Sequence, residues 1–132
     1  MFVDSSVLVA ILADEPDAAG FATKLAAAPH RYTSGPAVLE AAIRLSRRLA
    51  VDPVAAETRL SQVLEEARIS LIPINGSITK RAVAAVAAFG MDGNHPAQLS
   101  LADCLSYASA RAYRVPLLFK GAHFSQTDIE VA

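Results

Sequence analysis

The first twelve residues, Met1-Phe2-Val3-Asp4-Ser5-Ser6-Val7-Leu8-Val9-Ala10-Ile11-Leu12, decide the architecture. Phe2-Val3 reads as a very short buried strand, and the polar break Asp4-Ser5-Ser6 passes directly into an apolar helical segment. Asp4 therefore falls at the carboxyl end of a strand, the place where open parallel sheets bind ligands.

The same alternation continues along the chain. Asp14-Glu15-Pro16-Asp17 interrupts the helix, and the Ala-rich residues 17–28 restart one that carries Phe21 and Leu25 on one face. Arg31-Tyr32-Thr33 predicts a short strand, and Ser34-Gly35-Pro36 starts a helix to residue 49 with serine as cap and proline in the first turn. Further helices are expected over 53–67, 77–89 and 101–113, and strands over Ile69–Ile74 and Val115–Phe119, with a short edge strand through Ile129-Glu130-Val131. Residues 90–98 form the one long breaker-rich loop and are expected to border the site. Strands separated by helices need crossover connections, so the fold class is α/β: a three-layer α/β/α sandwich with a short parallel sheet, one domain over residues 1–132.

Composition narrows the function. The 132 residues are 53% hydrophobic but only 6% aromatic and include 27 alanines, so the core is aliphatic and the helices Ala-rich. A formal net charge of -1 excludes a sequence-wide basic coat for nucleic acid, and any polyanion must be held locally. The single Cys104 offers neither an internal disulfide nor a zinc cluster, which suits a reduced, cytoplasmic chain. No basic n-region precedes Asp4 and no apolar run is long enough for a membrane span, so neither a signal peptide nor membrane association is expected.

Most of the 13 acidic residues lie in turns, polar clusters or outer helix faces. Three interrupt apolar sequence instead. Asp4 separates Phe2-Val3 from Val7-Leu8-Val9, Glu40 is embedded in Ala37-Val38-Leu39-Glu40-Ala41-Ala42-Ile43, and Asp103 lies within Leu99-Ser100-Leu101-Ala102-Asp103-Cys104-Leu105. A buried carboxylate needs a partner. Local partners exist for each: Asp4 can cap the following helix, Asp103 has capping-box spacing from Ser100, and Glu40 can pair with Arg44 one turn on. Taken together, the three can instead converge at one strand-end crevice, where their mutual repulsion calls for a hard divalent cation such as Mg2+ or Mn2+.

The spacing Asp-(35 residues)-Glu-(62 residues)-Asp resembles the PIN-domain ribonucleases and, more closely, the VapC toxins of toxin-antitoxin pairs. The resemblance is carried by residues 1–12 with Glu15-Pro16, by Leu39-Glu40, by Leu101-Ala102-Asp103-Cys104-Leu105-Ser106-Tyr107-Ala108, and by the segments 116–121 and 124–129. It implies that Asp4, Glu40 and Asp103 are the metal-binding and catalytic acids of an endoribonuclease, that the toxin is a homodimer, and that a VapB-type antitoxin blocks its site. One position departs from the family pattern: Ala122-His123 stands where relatives carry a fourth acid. His123 is then a candidate ligand or water-orienting group, and Asp128, the nearest remaining acid, is readable as a turn residue or a ligand. The departure also opens a second reading, a degenerate PIN domain that binds its antitoxin but cleaves poorly.

In the cleavage reading Asp4 and Asp103 ligate metal directly, Glu40 acts through water, and Ser6 is a helper beside Asp4. Arg44 and Arg47 share the helix face of Glu40 and are the candidate phosphate contacts for RNA. Two other strand-end Asp enzymes fit less well. Aspartate-nucleophile phosphatases expect an acid where Ser6 stands, and receiver domains expect an acid pair near residue 10.

Overall fold

The computed structural model describes residues 1–132. In chain order the elements are β1 (Phe2–Val3), α1 (Ser5–Leu12), α2 (Ala18–Ala27), β2 (Tyr32–Ser34), α3 (Gly35–Leu49), α4 (Pro53–Glu66), β3 (Ser70–Ile72), α5 (Gly76–Phe89), α6 (Leu101–Tyr113) and β4 (Leu117–Leu118), followed by a single 3-10 turn at Phe124–Gln126. The four strands form one parallel sheet in the order β3-β2-β1-β4. Phe2 pairs with Tyr32 on one side and Leu117 on the other, and Ser34 pairs with Ile72.

The two-residue period of a strand explains how so little sheet organises two cores. Val3 and Leu118 point into one apolar cluster, built with Val7, Leu8 and Val9 of α1 and with Leu45 and Leu60 of α3 and α4. Phe2 and Leu117 point into the other, against Ile78, Ala82 and Ala85 of α5 and Cys104 and Ala108 of α6. Helices therefore cover both faces, as expected for the α/β/α sandwich. No helix is long and apolar enough to cross a membrane.

The caps follow the sequence signals. Ser34 accepts a hydrogen bond from Ala37 N ahead of α3, Asp52 caps α4 with Pro53 in its first turn, and Ser100 caps α6. Strands are shorter than their apolar runs suggested. β3 stops at Ile72 because Pro73 has no N–H for the ladder, and β4 begins only after Pro116. The expected edge strand at 129–131 reduces to one bridge between Leu117 and Val131. In the breaker-rich loop, Gly90 bridges Leu99, and a Cβ at Gly90 would sit 2.5 Å from the Val86 carbonyl oxygen, so only glycine allows that close approach.

The order of the strands locates the crevice. From β1 the chain moves outward through β2 to β3 and returns on the other side of β1 as β4, so the connections diverge beside β1. Asp4 is the residue that follows β1.

Candidate active site

Asp4 takes the extended backbone conformation of an N-cap, and its Oδ2 accepts from Ser6 N at 3.0 Å and from Ser6 Oγ at 2.6 Å. The side chain does cap α1. That role uses one oxygen. Asp4 is 2% exposed, and Oδ1 is buried with no hydrogen-bond partner. Burial pushes its carboxyl above the ordinary aspartate range; the Ser6 hydroxyl and N–H oppose this, as does the Ser106 hydroxyl, which lies close by but forms no hydrogen bond to it, and the charge of Asp103 adds to it.

Asp103 behaves in the same way. It forms a complete capping box, with Asp103 N donating to Ser100 Oγ at 3.1 Å and Ser100 N donating to Asp103 Oδ2 at 2.9 Å. All its hydrogen bonds lie in that box. Its carboxylate nonetheless lies on the same cavity as Asp4 and Glu40, near enough for its charge to act on both. Capping and convergence are compatible, because capping engages only Oδ2.

Glu40 is half-buried on α3, and its Oε2 accepts from Ser5 Oγ at 2.5 Å. Its carboxyl is also pushed above the ordinary glutamate range, first by burial and then by the charges of Asp4 and Asp103, with Ser5 and Arg44 opposing. It forms no ion pair with Arg44, contrary to the local pairing that the helical spacing allowed. Ser5 was not a candidate from sequence. It is buried directly after Asp4, and its partner lies 35 positions away.

The three carboxylates, Ser6 and Arg44 line one cavity of about 350 Å3, with Met91 and Gln98 of the breaker-rich loop on its rim. Lys120, Ala122 and His123 line it from the segment after β4. Arg47 is exposed one turn beyond Arg44 and is not part of the cavity wall. Arg48 is turned elsewhere: it pairs with Glu15, which also holds Lys120, while Lys120 reaches Asp17 at 3.0 Å. That network holds Glu15 below the ordinary glutamate range, chiefly through Lys120.

His123 Nδ1 stands 3.7 Å from Asp103 Oδ2, so the structure brings this residue to the acids. Asp128 is not brought there. Its Oδ1 accepts from Tyr107 OH at 2.6 Å on a different cavity, between α5 and α6, and burial, with this bond adding to it, pushes the Tyr107 phenol up to about 12.

The three carboxylates, one of them with a buried, unpartnered oxygen, supply oxygen donors that fit a hard divalent cation, with the His123 imidazole beside them on the same cavity. Asp4 and Asp103 could hold it directly. As oriented, no three His, Cys, Asp or Glu side chains form a closed cluster, so the acids face one cavity without prearranging a complete coordination sphere.

Comparison with known proteins identifies the family and the fold. The sequence model of the PIN domain family matches residues 1–130. Ribonuclease VapC28 of Mycobacterium tuberculosis is 42% identical over 132 residues, spanning 100% of this chain and 97% of that protein. A VapC ribonuclease of Rhizobium meliloti is 34% identical over 139 aligned positions, spanning 97% of this chain and 98% of that protein. Among solved structures, the sarcin-ricin loop cleaving toxin VapC20 of Mycobacterium tuberculosis superposes with a TM-score of 0.77 over 99% of this chain and 97% of that one, at 18% identity. A toxin-antitoxin complex from Klebsiella pneumoniae gives a TM-score of 0.71 over 99% of this chain and 95% of that one, at 20% identity. The shared fold, the end-to-end family match and the full-length relatives all lead to the same assignment: the chain belongs to the PIN-domain family, in its VapC branch.

Proposed function

We propose that this chain is the toxin of a type II toxin-antitoxin pair, a Mg2+- or Mn2+-dependent endoribonuclease that hydrolyses RNA phosphodiester bonds. One observation carries the reading: a buried aspartate with an unpartnered oxygen lines one cavity with two other carboxylates at the sheet's switch point, in a chain whose full-length relatives are named VapC ribonucleases. When bound, the ion acidifies the attacking water and offsets negative charge on the scissile phosphate and leaving oxygen.

The chain's own residues divide the remaining work. Asp4 and Asp103 would hold the ion, each having one carboxylate oxygen that capping does not use. Glu40, its Oε2 fixed by Ser5, keeps Oε1 to accept a hydrogen from the attacking water and set its line of approach. Ser6 locks Asp4: because Lys120 N donates to Ser6 Oγ at 3.0 Å, the serine's own hydrogen is directed to Asp4 Oδ2. Arg44, on the cavity wall, contacts a substrate phosphate, and Arg47 extends that contact by one turn.

The partner in this reading is a VapB-type antitoxin that places a basic side chain among the carboxylates, where it competes with metal for the same charge. The toxin works in the cytoplasm as a homodimer, each copy a single catalytic domain. Assaying RNA cleavage with Mg2+, Mn2+ or EDTA, for the wild type and for Asp4→Asn, tests the activity. Cleavage that survives EDTA and the substitution contradicts the reading.

A specific observation favours a second reading, in which the fold binds its antitoxin but cleaves poorly. The segment after Lys120 reaches the cavity with Ala122 and His123 and brings no acid to it. Restoring one there by Ala122→Asp or His123→Asp distinguishes the two readings.

A further inference from the structure

We propose that the furrow between α5 and α6 is a second RNA-binding surface, in which Arg81, Arg111 and Arg114 hold backbone phosphates that flank the phosphodiester at the acidic cavity. This inference rests on the ribonuclease reading and extends its substrate contacts to the opposite end of α6.

The three arginines line a concavity of about 430 Å3 at the C-terminal end of α6, with Glu130 as its one acid. All three are exposed, and none belongs to an ion pair; the molecule's four pairs involve Arg48, Lys120 (twice) and His123. In a chain of net charge -1, three free guanidinium groups around one hollow are a local concentration of positive charge. Arginine's planar fork matches phosphate oxygens in pairs.

The hollow continues toward the active site. Arg81 and Arg111 also line the neighbouring cavity of about 330 Å3, whose other end carries Phe89 and Tyr107. Asp128 lies there too, its carboxylate engaged by the Tyr107 hydroxyl at 2.6 Å. Phe89 ends α5 immediately before Gly90-Met91, and Met91 is on the rim of the acidic cavity. On α6 the same direction is visible in the spacing: Asp103, Tyr107 and Arg111 follow at intervals of four residues, which keeps them on one side of the helix, and Arg114 caps its end in the left-handed conformation. At about 1.5 Å per residue, Arg111 lies about 12 Å along the axis from Asp103.

A stripe that starts at a metal-binding acid, passes aromatic rings and ends at free arginines suits single-stranded RNA, which presents phosphates and unstacked bases together. An acidic peptide would use the arginines and leave the rings without a role.

The test is fluorescence anisotropy with a fluorescein-labelled, 20-nucleotide single-stranded RNA of mixed sequence, titrated in EDTA so that no cleavage intervenes, over a range of KCl. Arg81→Gln/Arg111→Gln/Arg114→Gln is expected to bind about tenfold more weakly and to lower the salt slope by about 2, since single strands give about 0.7 per phosphate contact. Arg111→Gln alone, which leaves the Arg114 turn untouched, is expected to lose about a third of that slope change. Arg59→Gln, on the exposed side of α4, should match the wild type. Wild-type affinity and slope in the triple variant would overturn the inference, as would a wild type that does not bind the probe. So would a triple variant whose only change is its sedimentation, since the furrow would then belong to a second copy of the chain. Cleavage is scored separately: arginine-dependent binding without any cleavage contradicts the ribonuclease reading alone, whereas cleavage with unaltered KM and binding in the triple variant contradicts the furrow alone.

Discussion

The hydroxyl of Ser5 donates to Glu40 Oε2 at 2.5 Å, joining the first residue of α1 to the middle of α3. Its neighbour Ser6 donates to Asp4 instead. Two consecutive serines thus orient two different carboxylates of the same cavity.

Removing either hydroxyl should therefore affect catalysis more than stability. Ser5→Ala frees Glu40 to turn toward solvent and is expected to lower the cleavage rate about tenfold while costing about 1 kcal/mol of stability, the usual worth of one hydrogen bond. Ser6→Ala removes a donor to Asp4 and the acceptor for Lys120 N, so about 1–2 kcal/mol is expected. Urea denaturation measures the stabilities and RNA cleavage in Mn2+ the rates.

Burial of Asp4 gives the metal-free protein an unusual pH dependence. Its folded carboxyl lies above the unfolded value, so between the two the native state binds more protons than the unfolded chain, and stability falls as pH rises through that window. Glu40 acts in the same direction. In EDTA, melting temperatures should therefore fall from mildly acid to neutral pH, and Asp4→Asn should flatten the trend and raise the neutral-pH value. Mn2+ should restore the wild type and do little for Asp4→Asn. An identical pH profile for the two proteins contradicts this.

Glu15 predicts the opposite sign. Lys120 and Arg48 hold its carboxyl below the ordinary value, so its contribution is present above the unfolded glutamate range and is lost as pH falls through the folded value. Glu15→Gln should destabilise at pH 7 by about 1 kcal/mol or less, because both partners are exposed to solvent, and the difference should vanish in acid. Thermal melts at several pH values report it.

Much of this was legible in the sequence. Each helix lies within about two residues of its expected bounds, because capping residues and prolines announce helix ends locally. The strands were read too long: the apolar runs 69–74 and 115–119 each contain a proline, Pro73 and Pro116, that limits the ladder and that the sequence does display, whereas the pairing partners that set the remaining length are not visible in it. Asp4, Glu40 and Asp103 stood out as charges in apolar runs. What sequence could not decide was whether Asp4 and Asp103 cap helices or face a site, since the answer assigns different oxygens of one carboxylate to each role. Ser5 was missed because its partner is distant in the chain, and Asp128 was considered only because nothing local revealed its bond to Tyr107.

The position at Ala122-His123 predicts a metal preference. An imidazole 3.7 Å from Asp103 Oδ2 suits Mn2+ better than Mg2+, so wild-type cleavage should be faster in Mn2+. Ala122→Asp or His123→Asp should raise the Mg2+ rate severalfold. If both leave a brisk wild-type Mg2+ rate unchanged, three acids suffice; if they convert an inactive protein into an active one, the poorly cleaving reading is correct.

Whether Asp4, Glu40 and Asp103 form one divalent-cation site is decided by isothermal titration of Mn2+ into the EDTA-stripped, dialysed protein. Saturable binding is expected, weakened at least tenfold by Asp4→Asn and by Asp103→Asn and unchanged by Asp128→Asn. Mn2+ binding of equal affinity in the wild type and in Asp4→Asn, or none in the wild type, would contradict it.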